Sequence, residues 1–327
     1  MILAFVEQDS GRPDRSSLEA LTFARHLAES SGSGPVTAIL FGPGAPDAAA
    51  TLGAYGVSRA QVVAGERIDS YAPAAWGRAV AQQCAKQSPS IVLAPGTDRG
   101  HEVLAYAAAM SGAPMAANCL DVRPGPDATC EVTRQRWGGS LLEEARLDGP
   151  VRFITIAEHA TQPEEAASAA AITVEAFQPD LDPADLRVRV VARVAPEAGK
   201  VSLADARVVV GGGRGVGGSE AFAELEELAG LLHGAVGVSR VVTSAGWRPH
   251  SQQVGQTGTR IAPDIYIACG ISGAIQHIVG CKAAKSILVI NTDREAPIMS
   301  RAAYAVIGDL HTVVPAISAE IRRRQAS

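Results

Sequence analysis

Aromatic side chains are scarce: Phe, Tyr and Trp together make up 4% of the 327 residues. The buried volume must therefore come mainly from Ala, Val, Leu and Ile, which suits parallel sheets covered by helices, whose strands are continuous aliphatic runs. Cysteine is also sparse. Cys84, Cys119, Cys130, Cys269 and Cys281 are odd in number, and no two stand at the close spacing of a zinc or redox pair, which argues against a disulfide scaffold or a thiolate metal centre. Three of them lie beside aliphatic residues, where a thiol packs as a small hydrophobe, so the expected location is the reducing cytoplasm. No long basic run exists, and Lys+Arg 29 against Asp+Glu 34 gives a net charge of −5; no nucleic-acid partner is expected. The one basic cluster, Arg322-Arg323-Arg324, reads as a solvated end. No apolar stretch is long and unbroken enough for a transmembrane segment. Met1–Val6 is too short for a signal h-region and lacks a basic n-region, so it reads as a first strand.

What is present is alternation. Aliphatic runs at Ile2–Val6, Val36–Leu40, Gln61–Val63 and Ile91–Ala94 alternate with helical periods over Asp14–Glu29, Ala72–Gln87 and His101–Met110, which predicts a mostly parallel sheet. From Leu120 the texture changes. Val132–Trp137, Leu141–Leu147, Val151–Ala157 and Arg187–Val194 read as strands with few helices between them, an antiparallel extension. Glu164–Ala171 reads as a loop or a short helix. The polar stretch Pro196-Glu197-Ala198-Gly199-Lys200 has no periodicity and reads as a linker. The expected organisation is an α/β protein of two domains: residues 1–195, a linker over 196–205, and a doubly wound domain over 206–327. In the second domain the predicted order is strand Arg207–Val210, helix Ser219–His233, strand Arg240–Thr243, strand Ile265–Cys269 and helix Gly273–Gly280. Strands Ser286–Ile290 and Tyr304–Gly308 and a helix over Ala316–Arg323 follow.

Val208-Val209-Val210 runs into a glycine-rich turn in which Gly213, Gly215 and Gly218 match the dinucleotide fingerprint. Such a match alone is weak, because a tight turn can have the same composition. A nicotinamide site also needs an acidic residue about 20 positions on, and the corresponding stretch, Ser239 to Gly246, holds none and offers Arg240 instead. Two further polar loops follow: Val254-Gly255-Gln256-Thr257-Gly258, and Gly270 to His277 after the strand Ile265–Cys269. Open α/β sheets bind ligands at the carboxyl ends of their strands, so Arg214, Ser239, Arg240, Gln256, Thr257, Ser272 to His277 and Asn291 are expected along one rim. Taken singly, each has a plain structural account: Arg240 as a surface arginine, His277 as a buried satisfied histidine, Gln256-Thr257 as a self-stabilised turn. Taken together they suit a flavin nucleotide. Ser272 and backbone N–H groups fit a pyrophosphate, Gln256 and Thr257 a flat heteroaromatic ring, and Arg240 and His277 the negative charge that a flavin gains on reduction. No Ser-His-Asp constellation or metal-spaced cluster is found.

These loops, together with Ile290 to Asp293, Glu295 to Ile298, Gly308-Asp309-Leu310 and Val313-Val314-Pro315, resemble the signature of the electron-transfer flavoprotein alpha subunit. The resemblance is continuous from about Ala206 to Ile321 and fainter over residues 1–195. It implies FAD in the second domain, contacted by Arg214, Ser239, Arg240, Val254, Gly255, Gln256, Thr257, Ser272, Gly273, Ala274, Ile275, Gln276, His277, Asn291, Asp309 and Leu310. Within that set it implies Thr257 near N5/O4, His277 near O2, Arg240 against the isoalloxazine, and Asn291 and Asp309 toward the adenosine. It further implies a beta subunit contacted by the N-terminal domain and often carrying AMP, flavin dehydrogenases as electron donors, and a quinone reductase or other redox acceptor. On this reading the chain is an electron carrier, not an enzyme. The alternatives are an NAD- or FAD-linked dehydrogenase subunit and a nucleotide-binding regulatory subunit.

Overall fold

The computed structural model describes residues 1–65, 67–125, 129–191 and 201–325. Half of the expected linker, residues 196–200, lies outside the described residues; residues 201–205 have no helix or strand. The chain divides into two units, Met1–Arg193 and Val194–Ser327.

The first unit is built on a nine-stranded sheet. Its strands are β1 Ile2–Val6, β2 Val36–Phe41, β3 Val57–Val63, β4 Ile91–Pro95, β5 Met115–Pro124, β6 Cys130–Arg136, β7 Leu141–Leu147, β8 Arg152–Ile156 and β9 Thr173–Ala176. In space they run β9-β3-β2-β1-β4-β8-β5-β6-β7. All are parallel as far as β5; β6 and β7 are antiparallel additions. The aliphatic strands are buried on both faces, and β1 makes the reason plain. Ile2, Ala4 and Val6 join one core with Leu21, Ala24 and Leu27 of helix α1 (Arg15–Ser31). Leu3 and Phe5 join the opposite core with Trp76 and Val80 of α3 (Pro73–Gln87), and with Val103 and Leu104 of α4 (Asp98–Ser111). The short helix α2 (Ala45–Thr51) seats Ala45, Ala48 and Ala49 in the first of these cores. The few aromatics are concentrated on the second, where Phe41 stacks on Trp76 at 4.5 Å.

Two expectations are corrected here. The segment Val151–Ala157 does form a strand, but it inserts in parallel between β4 and β5, not into the antiparallel extension. Residues 187–191 of the expected strand Arg187–Val194 have no strand structure, and 192–194 lie outside the described residues.

Strand order reverses between β1 and β4, the place where open sheets take ligands. In this unit the protein's own side chains bridge the gap. Thr97, which caps α4 by accepting the Gly100 N–H at 2.9 Å, donates its hydroxyl to buried Glu7, and Arg99 stands 3.9 Å from the same carboxylate. Burial dominates over these two favourable neighbours and pushes the Glu7 pKa up to about 7 from its ordinary 4.5. The folded chain therefore holds a proton that the unfolded chain has lost between those values. Stability is full below pH 4.5 and falls as pH rises through 7. Glu7→Gln, which is uncharged at every pH, is expected to match the native chain near pH 4.5. At pH 8 it should exceed it by up to about 3 kcal/mol in denaturant unfolding; equal stability at pH 8 would contradict the burial account.

The second unit has a five-stranded, wholly parallel sheet. Its strands are β10 Val208–Gly212, β11 Ala235–Val238, β12 Ile265–Cys269, β13 Ser286–Asn291 and β14 Tyr304–Ile307, in the order β11-β10-β12-β13-β14. Relative to the chain this is 2-1-3-4-5, a doubly wound order with its switch point between β10 and β12. Helices α5 (Phe222–Leu231) and α8 (Leu310–Gln325) cover one face through Phe222, Leu225, Leu228 and Val314. Helix α7 (Ile275–Cys281) supplies Cys281 to the other core, with Tyr266 and Ile298. The expected strand Arg240–Thr243 is instead a helix, α6 (Arg240–Ser244), and the strand precedes it as β11. Two valines and a threonine favour extended backbone in isolation, but only Val242 of that run is buried, so no strand-like face exists to enforce it. All five cysteines are free and buried. Burial holds the thiols of Cys84, Cys119, Cys269 and Cys281 up at about 12, hence protonated. Among the described residues no helix is long and apolar enough to cross a membrane.

Candidate functional site

The site begins where the loops after β10 and β12 meet. Gly213 donates its N–H to the Cys269 carbonyl at 2.9 Å, and Gly215 donates to the Gly270 carbonyl at 3.1 Å. The two backbones touch so closely that a Cβ on Gly213 would stand 2.2 Å from the Gly270 oxygen. Gly270 itself has φ +60, in the left-handed region. Gly218, third glycine of the apparent dinucleotide fingerprint, has nothing within 4 Å of an added Cβ, and α5 starts only at Phe222. In a true fingerprint that third position packs helix on strand. The glycines here join two loops.

Along that edge lies a cavity of about 510 Å³, within the usual range for a small-molecule site. Arg214, Ser239, Arg240, Val254, Gly255, Gln256, Thr257, Ser272, Gly273, Ala274, Gln276, His277 and Asn291 all line it. Ile275, Asp309 and Leu310 do not. Ile275 is 72% exposed, Leu310 is buried in the core under α8, and the Asp309 carboxylate accepts the His311 N–H at 3.0 Å, at the start of α8. The lining also includes Val241, Ser244, Gln253 and Asp293, none of which stands out from its residue type or spacing. Gln253 directly precedes the Val254–Gly258 loop and Asp293 ends the Ile290 to Asp293 motif, the only signals that could have drawn attention to them.

His277 is buried, and its Nε2 pairs with the Tyr266 hydroxyl at 2.8 Å. Burial, against a weaker opposing pull from the Val254 backbone, lowers its pKa to about 4. It is therefore neutral at pH 7 and serves as a hydrogen-bonding group; the positive charge that the sequence left open for it belongs to the arginines. Its Nδ1 is buried without a well-formed partner. Arg214 and Arg240 are exposed, and among the described residues neither is in an ion pair. Asn291 is engaged on both sides, donating to the Ile271 carbonyl at 3.0 Å and accepting the Asp293 N–H at 3.1 Å, so it ties the β12 and β13 loops together. Among the described residues no cluster of His, Cys, Asp and Glu could hold a metal. Backbone turns, hydroxyls, amides, a neutral imidazole and two arginines around one cleft suit a flat, polar-edged, anionic ligand.

Comparison with known proteins agrees. Residues 202–282 match the family model described as the electron transfer flavoprotein FAD-binding domain, and residues 2–182 match the electron transfer flavoprotein domain. The chain belongs to the electron transfer flavoprotein alpha-subunit family. It is 35% identical over 326 residues to the electron transfer flavoprotein subunit alpha of Mycobacterium tuberculosis, covering 99% of both chains. It is 31% identical to the subunit of the same name from Thermoanaerobacterium thermosaccharolyticum, covering 98% of each. Against that of Bacillus subtilis the identity is also 31%, covering 98% of this chain and 97% of the other. The FAD-binding match spans β10 to α7, and every cavity residue from Arg214 to His277 lies inside it. The cofactor of this electron transfer flavoprotein subunit is FAD.

Proposed function

We propose that the cavity at the β10/β12 edge holds the isoalloxazine end of FAD, and that the chain, paired with a beta subunit, carries electrons without substrate chemistry of its own. Bound FAD supplies the capacity to take up electrons from a flavin dehydrogenase and release them singly to a quinone reductase or other acceptor. The observation that carries this reading is that Arg240, Thr257 and His277 line one cavity inside the matched FAD-binding domain. Thr257 donates toward N5/O4, neutral His277 hydrogen-bonds near O2, and Arg240 sets a cation against the ring. Arg214 and the Ser272 loop serve the pyrophosphate, and Asn291, with Asp309 at the start of α8, the nucleotide end. A dehydrogenase is not favoured: the matched family is that of electron transfer flavoproteins, and burial leaves His277 a weak base. The test is the co-purified alpha–beta complex with FAD added. It should show a flavin spectrum, reduce an acceptor only when a dehydrogenase is supplied, and turn over no small substrate alone. Absence of the flavin spectrum, or turnover without a partner, would overturn the reading.

For the beta subunit the N-terminal unit offers an exposed apolar surface. The turn between β6 and β7 carries Trp137, 80% exposed and at φ +51, followed by Leu141 and Leu142, also exposed, on an edge strand. An exposed Trp is the residue type enriched at interface hot spots, and the two leucines beside it extend the exposed apolar surface. Trp137→Ser combined with Leu142→Ser is expected to weaken the complex by about a hundredfold in sedimentation, while the melting of the alpha subunit alone stays unchanged. Unaltered affinity would move the partner elsewhere. Five buried thiols and the absence of a spanning helix among the described residues support a cytoplasmic location.

A further inference from the structure

Gln253 is one of the few buried polar side chains of the second unit, 2% exposed, and it lines the cavity. Its backbone is fixed at both ends: the N–H donates to the His250 carbonyl at 2.9 Å, and the carbonyl accepts the Thr259 N–H at 2.7 Å. Its amide spans the space between α6 and the Thr257 loop. Thr243 of α6 donates to the amide oxygen at 2.6 Å, and the amide nitrogen donates to the Thr257 hydroxyl oxygen at 3.1 Å.

The direction of this chain is set by the Gln253 amide, whose oxygen faces Thr243 and whose nitrogen faces Thr257. The Thr243 hydroxyl has one proton and two acceptors in reach, the Gln253 oxygen and the Arg240 carbonyl at 2.9 Å. The Arg240 carbonyl stands at an exposed helix start, where water can serve it. The Gln253 oxygen is buried, and Thr243 is its one donor among the described residues; leaving it unmet costs about 1–3 kcal/mol. With the amide oxygen facing Thr243, the Thr243 proton goes to Gln253 and the amide nitrogen faces Thr257. The Thr257 oxygen then accepts, and its own proton must find a partner elsewhere. Thr257 lines the cavity.

We propose that Gln253 is a positioning residue: held by Thr243, its amide aims the Thr257 hydroxyl proton into the FAD cavity, making Thr257 a committed donor to the electron-accepting edge of the ring. The inference rests on the placement of the isoalloxazine beside Thr257 given above. A committed donor favours the more electron-rich, reduced ring. Without Gln253 the hydroxyl rotates freely and that bias is lost.

The test uses the FAD-loaded alpha–beta complex and reads two quantities, the FAD dissociation constant and the equilibrium of the first one-electron couple by spectroelectrochemistry. Thr257→Val is expected to shift that equilibrium toward oxidised flavin about tenfold, and Gln253→Leu about three- to tenfold, the size of one hydrogen bond. The double variant should shift no further than Thr257→Val alone. Where Gln253→Leu fails to retain FAD, Thr243→Val, which frees the amide but leaves Gln253 in place, is expected to shift the equilibrium in the same direction. If Thr257→Val has no effect, the placement of the ring itself is wrong and the positioning role goes with it. If Thr257→Val shifts the couple while Gln253→Leu and Thr243→Val do not, or if the two shifts add in full, the ring placement stands and the role of Gln253 is overturned.

Discussion

Gly213→Ala is expected to destabilise the C-terminal unit by about 3 kcal/mol and to weaken FAD binding about a hundredfold or more, whereas Gly218→Ala, five residues on, is tolerated. The new methyl at Gly213 would stand 2.2 Å from the Gly270 oxygen, with the Gly270 carbonyl carbon and the Ile271 Cα each at 2.8 Å. These are backbone atoms and cannot rotate away. Gly270 is confined in its turn by its left-handed φ of +60 and by Gly215, whose Cα lies 2.8 Å from where a Cβ on Gly270 would sit. Relief requires separating the loops after β10 and β12, which breaks the Gly213–Cys269 and Gly215–Gly270 hydrogen bonds and pulls Arg214 away from the Ser272 loop. Both loops line the cavity, so affinity falls with stability; a loss near 3 kcal/mol is about a hundredfold in binding. Gly218 has open space around it, and its replacement is expected to stay within about 0.5 kcal/mol. Thermal unfolding and FAD titration of the two variants decide the matter. Equal tolerance at both positions would mean that the loops are not locked together.

Arg240→Ala is expected to lower the potential of the first one-electron couple of bound FAD, by about tenfold in the equilibrium constant. Reduction adds negative charge to the ring, and a cation nearby favours the reduced form. At ~4 Å and an effective dielectric near 20 a unit pair is worth ~4 kcal/mol. Arg240 is exposed, so solvent screening reduces that to about 1 kcal/mol, or roughly tenfold. Arg240→Lys keeps the charge and is expected to retain most of the effect, and added salt should shrink the difference between native and Ala forms. An unchanged or raised potential in Arg240→Ala would contradict the charge account.

The sequence carried the architecture where burial and periodicity coincided. Ile265–Cys269 and Leu141–Leu147 stand as strands with the boundaries expected from their side chains. It was silent where a strand is short or mixed. Ala235–Val238 is four residues long and contains Gly237, so it offers no aliphatic run. Met115–Pro124 has Asn118 and Asp121 within it, and is held by neighbours on both sides in the sheet. It misled where local propensity met a different tertiary setting, as at Arg240–Ser244. The rim of the second domain was legible because loops at the carboxyl ends of parallel strands must lie side by side, whatever the helix boundaries. The hydrogen-bond chain from Thr243 through Gln253 to Thr257 was not, because its members belong to a helix and a turn whose packing no spacing rule specifies. The neutral state of His277 was equally hidden, since its cause is burial against the sheet beside Tyr266.

A crystal structure of the FAD-loaded alpha–beta complex tests the central claim most directly. The account predicts the isoalloxazine ring at the β10/β12 edge, with Thr257 and His277 in hydrogen-bond reach and the Arg240 guanidinium beside the ring. An isoalloxazine found away from these three side chains, with the cavity filled by something else, would contradict it.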